Sequence, residues 1–277
     1  MDLQAEYDNG AKVPEYLAIA ERWTDTAARF RDGHANAELD VPYGPTPRQA
    51  VDIFWPGSTR GGRIAVFVHG GYWQRSHRTV FSHLARGLLA HGVAVAMPSY
   101  ELCPQVSLAN LTEQVRDAVA FLHRRHGGRF LALGHSAGGH LTAMLMATNW
   151  AARGLPADLV PAGLPISGLF DLPPLTHTTI NAALGLDLAE AHRLSPLFMP
   201  APGGPIHAVV GGTEGVEYTR QARSIAEAWG GSWESLPGLN HFTIIEQLAN
   251  PASSIVTKAL ELLPANAVSS AQNPAGR

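Results

Sequence analysis

The sequence predicts an α/β fold: a mostly parallel central sheet with helices on both faces and a small cap inserted near one end. Three observations predict it. Along the 277 residues, apolar runs of strand length alternate with longer segments of helical period, as a parallel sheet covered on both sides requires. Most of the runs are rich in Val, Ile, Leu and Ala, as strands buried on both faces are. Composition supplies the material, since 45% of residues are hydrophobic and 16% charged, enough for one large core and too little for a second full domain.

Strands are predicted at residues 50–55, 63–68, 93–98, 129–133, 159–167, 206–210 and 232–236. Helices are predicted at 79–91, 108–126, 138–150, 216–229 and 253–263. In the second of these, Leu108, Leu111, Val115, Val119 and Leu122 recur every three or four residues and form one buried stripe. Ahead of the sheet, residues 14–31 read as an amphipathic helix carrying Tyr16, Ile19, Trp23 and Phe30, expected to pack across the domain. Between the fifth and sixth strands, residues 171–205 form a Pro- and Leu-rich insertion with short helical patterns at 180–186 and 188–194. Such an insertion is expected to roof the sheet end as a cap. The single domain is expected to span 1–263, followed by a frayed tail over 264–277.

Charge excludes several partners. The net charge of −3 is small and the basic residues are scattered, so neither nucleic acid nor an anionic membrane is expected. Small molecules are the expected partners, with a homodimer left open. Residues 1–10 are acidic and polar, and eighteen consecutive apolar residues occur nowhere, which argues against secretion and membrane spanning. Cys103 stands alone, is followed by Pro104 and lacks the context of a nucleophile; a structural role in a reducing cytoplasm is expected.

Chemistry is concentrated in two glycine motifs. Gly134-His135-Ser136-Ala137-Gly138 follows the apolar run 130–133, presenting one hydroxyl on a strand-to-helix turn too tight for larger neighbours, the nucleophile elbow. A serine hydroxyl is a poor nucleophile near neutral pH, so it needs a base, an acid to orient that base, and donors for an oxyanion. His69-Gly70-Gly71-Tyr72-Trp73 begins where the strand 63–68 ends. The N–H groups of Gly70 and Gly71, with that of Ala137, are candidate oxyanion donors. His241, shortly after the last predicted strand, is the candidate base. Glu214, after Val209-Val210-Gly211-Gly212, is the preferred acid, with Asp171 its competitor. Glu217 reads as an exposed first-turn carboxylate favoured by the helix dipole. His135 reads as elbow packing, and His69 as support for the glycine turn. His77, His83 and His91 carry no H-E-x-x-H spacing, and no G-x-G-x-x-G or P-loop occurs; no metal or organic cofactor is expected.

With these motifs in order, the chain resembles an α/β-hydrolase of the esterase/lipase kind, and more closely the kynurenine formamidase (arylformamidase) group. The resemblance rests on the two motifs above, on Ser167-Gly168-Leu169-Phe170-Asp171-Leu172, on Leu194-Ser195-Pro196-Leu197 and on Asn240-His241-Phe242, and runs from about Tyr7 to Leu262. It implies Ser136 as nucleophile, His241 as base and the acid within 210–217. Formamidases of this group commonly have aspartate where this chain has Glu214; glutamate there is more like related amidases that cleave N-acylated anthranilate. Tyr72, Trp73, Tyr100 and Phe170, near the motifs, are expected to line a pocket for a flat aromatic amide or ester. The competing readings are a general carboxylesterase for short acyl esters and a non-catalytic ligand-binding protein on the same scaffold.

Overall fold

The structure is a computed structural model describing residues 2–58 and 60–264. Eight strands form one sheet: β1 Ala37–Pro42, β2 Ala50–Phe54, β3 Ile64–Val68, β4 Ala94–Pro98, β5 Phe130–His135, β6 Ala162–Ile166, β7 His207–Gly211 and β8 Ser232–Leu236. Their order is β1-β2-β4-β3-β5-β6-β7-β8. The pairs β1/β2 and β2/β4 are antiparallel, and every later pair is parallel. The helices are α1 Leu3–Tyr7, α2 Asn9–Lys12, α3 Tyr16–Gly33, α4 Arg86–Leu89, α5 Leu108–His126, α6 Ala137–Met146, α7 Asn181–Leu184, α8 Leu188–Arg193, α9 Val216–Trp229 and α10 Ser254–Leu262.

Alternation along each strand divides the core into two layers. On β3, Ile64, Val66 and Val68 face one layer with α5 and α6, while Ala65 and Phe67 face the other with α3 and α10. This is the period of two that a strand imposes. The predicted stripe on α5 is wholly buried, with Ser107 capping the first turn through the Asn110 N–H at 3.2 Å and Gly127 ending the helix at φ 68°.

Four expectations change. β1 was not foreseen; it is an edge strand with no fully buried residue, so its sequence carries no apolar run to read. Residues 79–91 divide into a 3-10 turn, Arg78–Ala85, and the short α4. The strand predicted at 159–167 shortens to β6, and the first residues of the chain form α1 and α2, capped by Asp2 and Asp8. The tail expected over 264–277 lies, beyond Pro264, outside the described residues. The insertion forms short turns and helices over 173–198.

Helix α3 is anchored to the sheet by charge. Asp52 on β2 is fully buried and ion-pairs with Arg31 of α3 and with Arg78, the latter at 3.1 Å, and accepts the Asp40 N–H at 2.8 Å. Removing one partner of such a buried cluster strands an uncompensated charge, which fixes the position of α3 and the aromatic residues it carries.

Two buried histidines sit beneath the glycine motifs. The His69 ring stacks between Phe81 and Tyr100, at 6.0 and 4.5 Å, and donates from Nδ1 to the Gly70 carbonyl at 2.8 Å. His140, on the first turn of α6, donates from Nε2 to the Leu194 carbonyl at 2.8 Å. Burial lowers both from 6.5, His69 to about 3 and His140 to about 4. Because the folded-state values lie below the unfolded value, the unfolded chain takes up protons that the folded one refuses. Stability is therefore intact above about pH 6.5 and falls with pH below it, by about 1.4 kcal/mol per unit for each such histidine. Urea unfolding at a series of pH values from 7.5 to about 4.5 is expected to show this slope, and His140→Gln to make it shallower; equal slopes would contradict the assignment.

Candidate active site

The carboxyl ends of five strands converge on one place, which is where ligands bind in open parallel sheets. At the end of β5, Ser136 turns the chain into α6 with φ 57° and ψ −119°, a left-handed setting that a non-glycine residue adopts at a cost of about 1–3 kcal/mol. The flanking glycines make the turn possible. A Cβ on Gly134 would lie 2.1 Å from the Gly138 carbonyl oxygen, and one on Gly138 would lie 2.0 Å from that of Val68. The elbow thus locks against both its own helix and β3.

The glycine turn after β3 approaches the elbow closely. A Cβ on Gly70 would sit 3.0 Å from that of Ser136, so only glycine brings this backbone beside the hydroxyl. Among the described residues, the N–H groups of Gly70 and Gly71 donate to no other group of the protein, and Ala137 opens α6, where an N–H has no carbonyl in its own helix. Gly70 and Ala137 therefore adjoin Ser136, and Gly71 borders the same cavity.

His241, which also borders the cavity, has a carboxylate partner. His241 Nδ1 and Glu214 Oε2 are 2.6 Å apart, which places the ring proton on Nδ1 and leaves Nε2 as an acceptor. The other oxygen of Glu214 accepts the Ser167 hydroxyl at 2.5 Å and the Gly211 N–H at 2.6 Å. The Glu214 side chain is fully buried. Folding back onto Gly211 absorbs the extra methylene that distinguishes glutamate from aspartate. Asp171, the competing acid, is committed elsewhere, paired with Arg220 at 2.8 Å.

The His241 ring is gripped on two sides. Its neighbours are His135, ring centroids 4.6 Å apart, and Tyr218, at 4.7 Å. His135 Nε2 donates to the His241 carbonyl at 2.8 Å. Burial, reinforced by the adjacent His241, holds His135 well below the ordinary imidazole value, so it stays neutral beside the His241 ring. Ser136 and His241 border the same cavity; the described residues form no direct hydrogen bond between them, a contact that commonly tightens only with substrate present.

The cavity, about 490 Å³, corrects the expected pocket. Tyr72 borders it, but Trp73, Tyr100 and Phe170 do not. All three are fully buried. Trp73 packs edge-on against His140 at 5.1 Å, the Tyr100 hydroxyl donates to the His69 carbonyl at 2.7 Å, and Phe170 lies against Gly168. They are core supports of the motifs, because neighbours in sequence turn to opposite sides of a tight backbone. The aromatic walls come instead from Tyr16 and Trp23 of α3, with Phe81 and Phe242. The roof also differs from expectation: the insertion contributes only Thr179 and Ile180, whereas α1, α2 and α3 form much of the wall.

Sequence reasoning missed Asn9 and Tyr218. Asn9 Nδ2 donates to the hydroxyls of Tyr218 and Tyr72, at 2.7 and 3.2 Å, and the Tyr72 hydroxyl donates to the Tyr7 carbonyl at 2.6 Å. These bonds tie the start of the chain to the glycine turn and to the neighbour of His241. Glu217, read as exposed, is buried and accepts the Tyr7 hydroxyl at 2.8 Å while pairing with Arg220. An asparagine in a polar ten-residue start gives no sequence signal of such a role. Among the described residues, no cluster of side chains could hold a metal and no helix is long and apolar enough to cross a membrane.

Comparison with known proteins agrees with this architecture. The BD-FAE family model matches residues 51–159. Kynurenine formamidase from Salmo salar is 30% identical over 234 residues, covering 79% of each chain, and that from Danio rerio is 30% identical over 237 residues, covering 80% of each. A crystal structure of a Silicibacter sp. tm1040 protein, described as a candidate thioesterase, superimposes with a TM-score of 0.86 at 37% identity, covering 93% of this chain and 98% of that one. Fold, spacing of the motifs and these similarities agree: the chain is a hydrolase with the α/β-hydrolase fold, and it belongs to the kynurenine formamidase family.

Proposed function

We propose that this protein hydrolyses N-acylated arylamines, formamides above all, through an acyl-enzyme on Ser136. The observation that carries this reading is the buried Glu214–His241 pair at 2.6 Å facing the same cavity as the strained Ser136. In this mechanism His241 Nε2 takes the Ser136 proton as Oγ attacks the carbonyl carbon. Glu214 stabilises the imidazolium, and the N–H groups of Gly70, Gly71 and Ala137 hold the oxyanion. The imidazolium then protonates the departing arylamine, and water repeats the attack to release the acid. A cavity of about 490 Å³ walled by aromatic rings suits one substituted aromatic ring. The relatives' activity supports formamides in particular. Cys103, buried and with its thiol pushed up to about 11, fits the reducing cytoplasm in which we place the enzyme.

A second reading has its own support. The Silicibacter protein at 37% identity is described as a candidate thioesterase, and an oxyanion site of this kind serves esters and thioesters equally. Rates decide. Comparing kcat/KM for N-formylkynurenine with that for a short nitrophenyl ester is expected to favour the formamide, and an ester-only profile would remove the formamidase reading. Fluorophosphonate labelling is expected on the native protein and absent in Ser136→Ala, with turnover reduced at least about 10⁴-fold. Glu214→Gln, which loses the charge that stabilises the imidazolium, is expected to lower kcat by about 10²- to 10⁴-fold with little change in KM. Unchanged turnover in either variant would contradict the assigned roles.

A further inference from the structure

Among the described residues bordering the cavity, Asp8 and Arg75 are the only Asp, Glu, Lys or Arg side chains. Nearby arginines are committed: Arg48 donates to the Tyr100 and Ser76 carbonyls, Arg78 pairs with Asp40 and Asp52, and Arg220 pairs with Asp171 and Glu217. Arg75 differs. Among the described residues its guanidinium makes no ion pair and no hydrogen bond, and the residue is exposed at the cavity wall.

We propose that Arg75 is a substrate-binding residue that takes a carboxylate carried by the aromatic substrate, a proposal that rests on the acyl-transfer reading above. Its mount is rigid. The N–H groups of Gln74 and Arg75 both donate to the Gly71 carbonyl, at 3.0 and 3.1 Å, and the Arg75 Cγ lies 3.1 Å from where a Gly71 Cβ would be. On either side, Gln74 Nε2 donates to the Ile180 carbonyl at 2.8 Å, and the Ser76 carbonyl, at a residue with φ 80°, accepts from Arg48 at 2.6 Å. The backbone that carries Arg75 is held while its head is uncommitted, and the planar guanidinium matches a carboxylate with two parallel bonds. The stem lies against the turn that would hold the oxyanion, so a carbonyl seated there brings the rest of an aromatic substrate toward Arg75. Asp8, whose Oδ1 accepts the Ala11 N–H at 3.0 Å, balances the cavity's charge and favours a single carboxylate over a dianion such as phosphate. The substrate class is therefore an acylated arylamine or phenol bearing one carboxylate.

The test uses two matched pairs, N-formylanthranilate against formanilide and 4-acetoxybenzoate against 4-acetoxybenzamide. Comparing the carboxylate-to-neutral ratio of kcat/KM between wild type and variant cancels intrinsic reactivity. Arg75→Ala is expected to lower the carboxylate-to-neutral ratio roughly 10- to 100-fold relative to the wild type, the worth of a charge-assisted bond, chiefly through KM, and Arg75→Lys to retain part of it. Ratios that do not change in any pair the enzyme cleaves would overturn the proposal. Cleavage of the esters alone would sink the formamidase reading while still testing Arg75. Should all four prove inert, slowing of fluorophosphonate labelling at Ser136 by benzoate but not benzamide reads the same contrast, and no slowing by benzoate overturns it.

Discussion

The orientation of the His241 imidazole rests on one buried carboxylate, Glu214, and through it on the ends of three neighbouring strands. Ser167 follows β6, Gly211 closes β7, and His241 follows β8; each contributes one hydrogen bond to the same side chain. Because a buried charge without partners is costly, these three bonds act together. Loss of one loosens the others. The sheet thus supplies a frame in which a histidine from one loop is oriented by an acid from another, beside the cavity that a serine from a third also borders.

The start of the chain takes part in the same frame. Asn9 links Tyr72, inside the glycine turn, to Tyr218, which packs on the His241 ring. Burial raises the phenols of Tyr72 and Tyr218, keeping them neutral donors and acceptors. Helices α1 and α2 are too short to be stable alone and exist because this network and the cavity wall hold them. The first dozen residues are therefore part of the cavity wall.

Legibility in the sequence followed physical cause. Strands buried on both faces were readable because mostly apolar residues survive there, the ion-paired Asp52 being an exception, and the nine-residue and longer helices away from the 3-10 turn were readable from their periodic stripes. The elbow was readable because steric closeness leaves glycine alone at positions 134 and 138. β1 was not: its mixed sequence Ala-Glu-Leu-Asp-Val-Pro carries no apolar run, whereas β8 at the other edge, also without a fully buried residue, was read as a strand. Glu214 could be placed, and preferred over Asp171, by its distance beyond β7, whereas the pairing with Arg220 that engages Asp171 is one no spacing reveals. The pocket was least legible. Its aromatic walls come from α3 and from Phe81 and Phe242, far from the motifs in sequence, whereas Trp73, Tyr100 and Phe170, conspicuous beside the motifs, turn into the core.

The convergence of these groups on one reacting carbon is tested most directly by a crystal structure of the protein inhibited covalently with an aryl phosphonate. The account requires phosphorus bonded to the Ser136 oxygen, its phosphoryl oxygen about 3 Å from the Gly70, Gly71 and Ala137 nitrogens, and His241 Nε2 turned toward the adduct while Nδ1 stays on Glu214. An adduct whose oxygen points away from the glycine turn, or a His241 ring swung off Glu214, would contradict it.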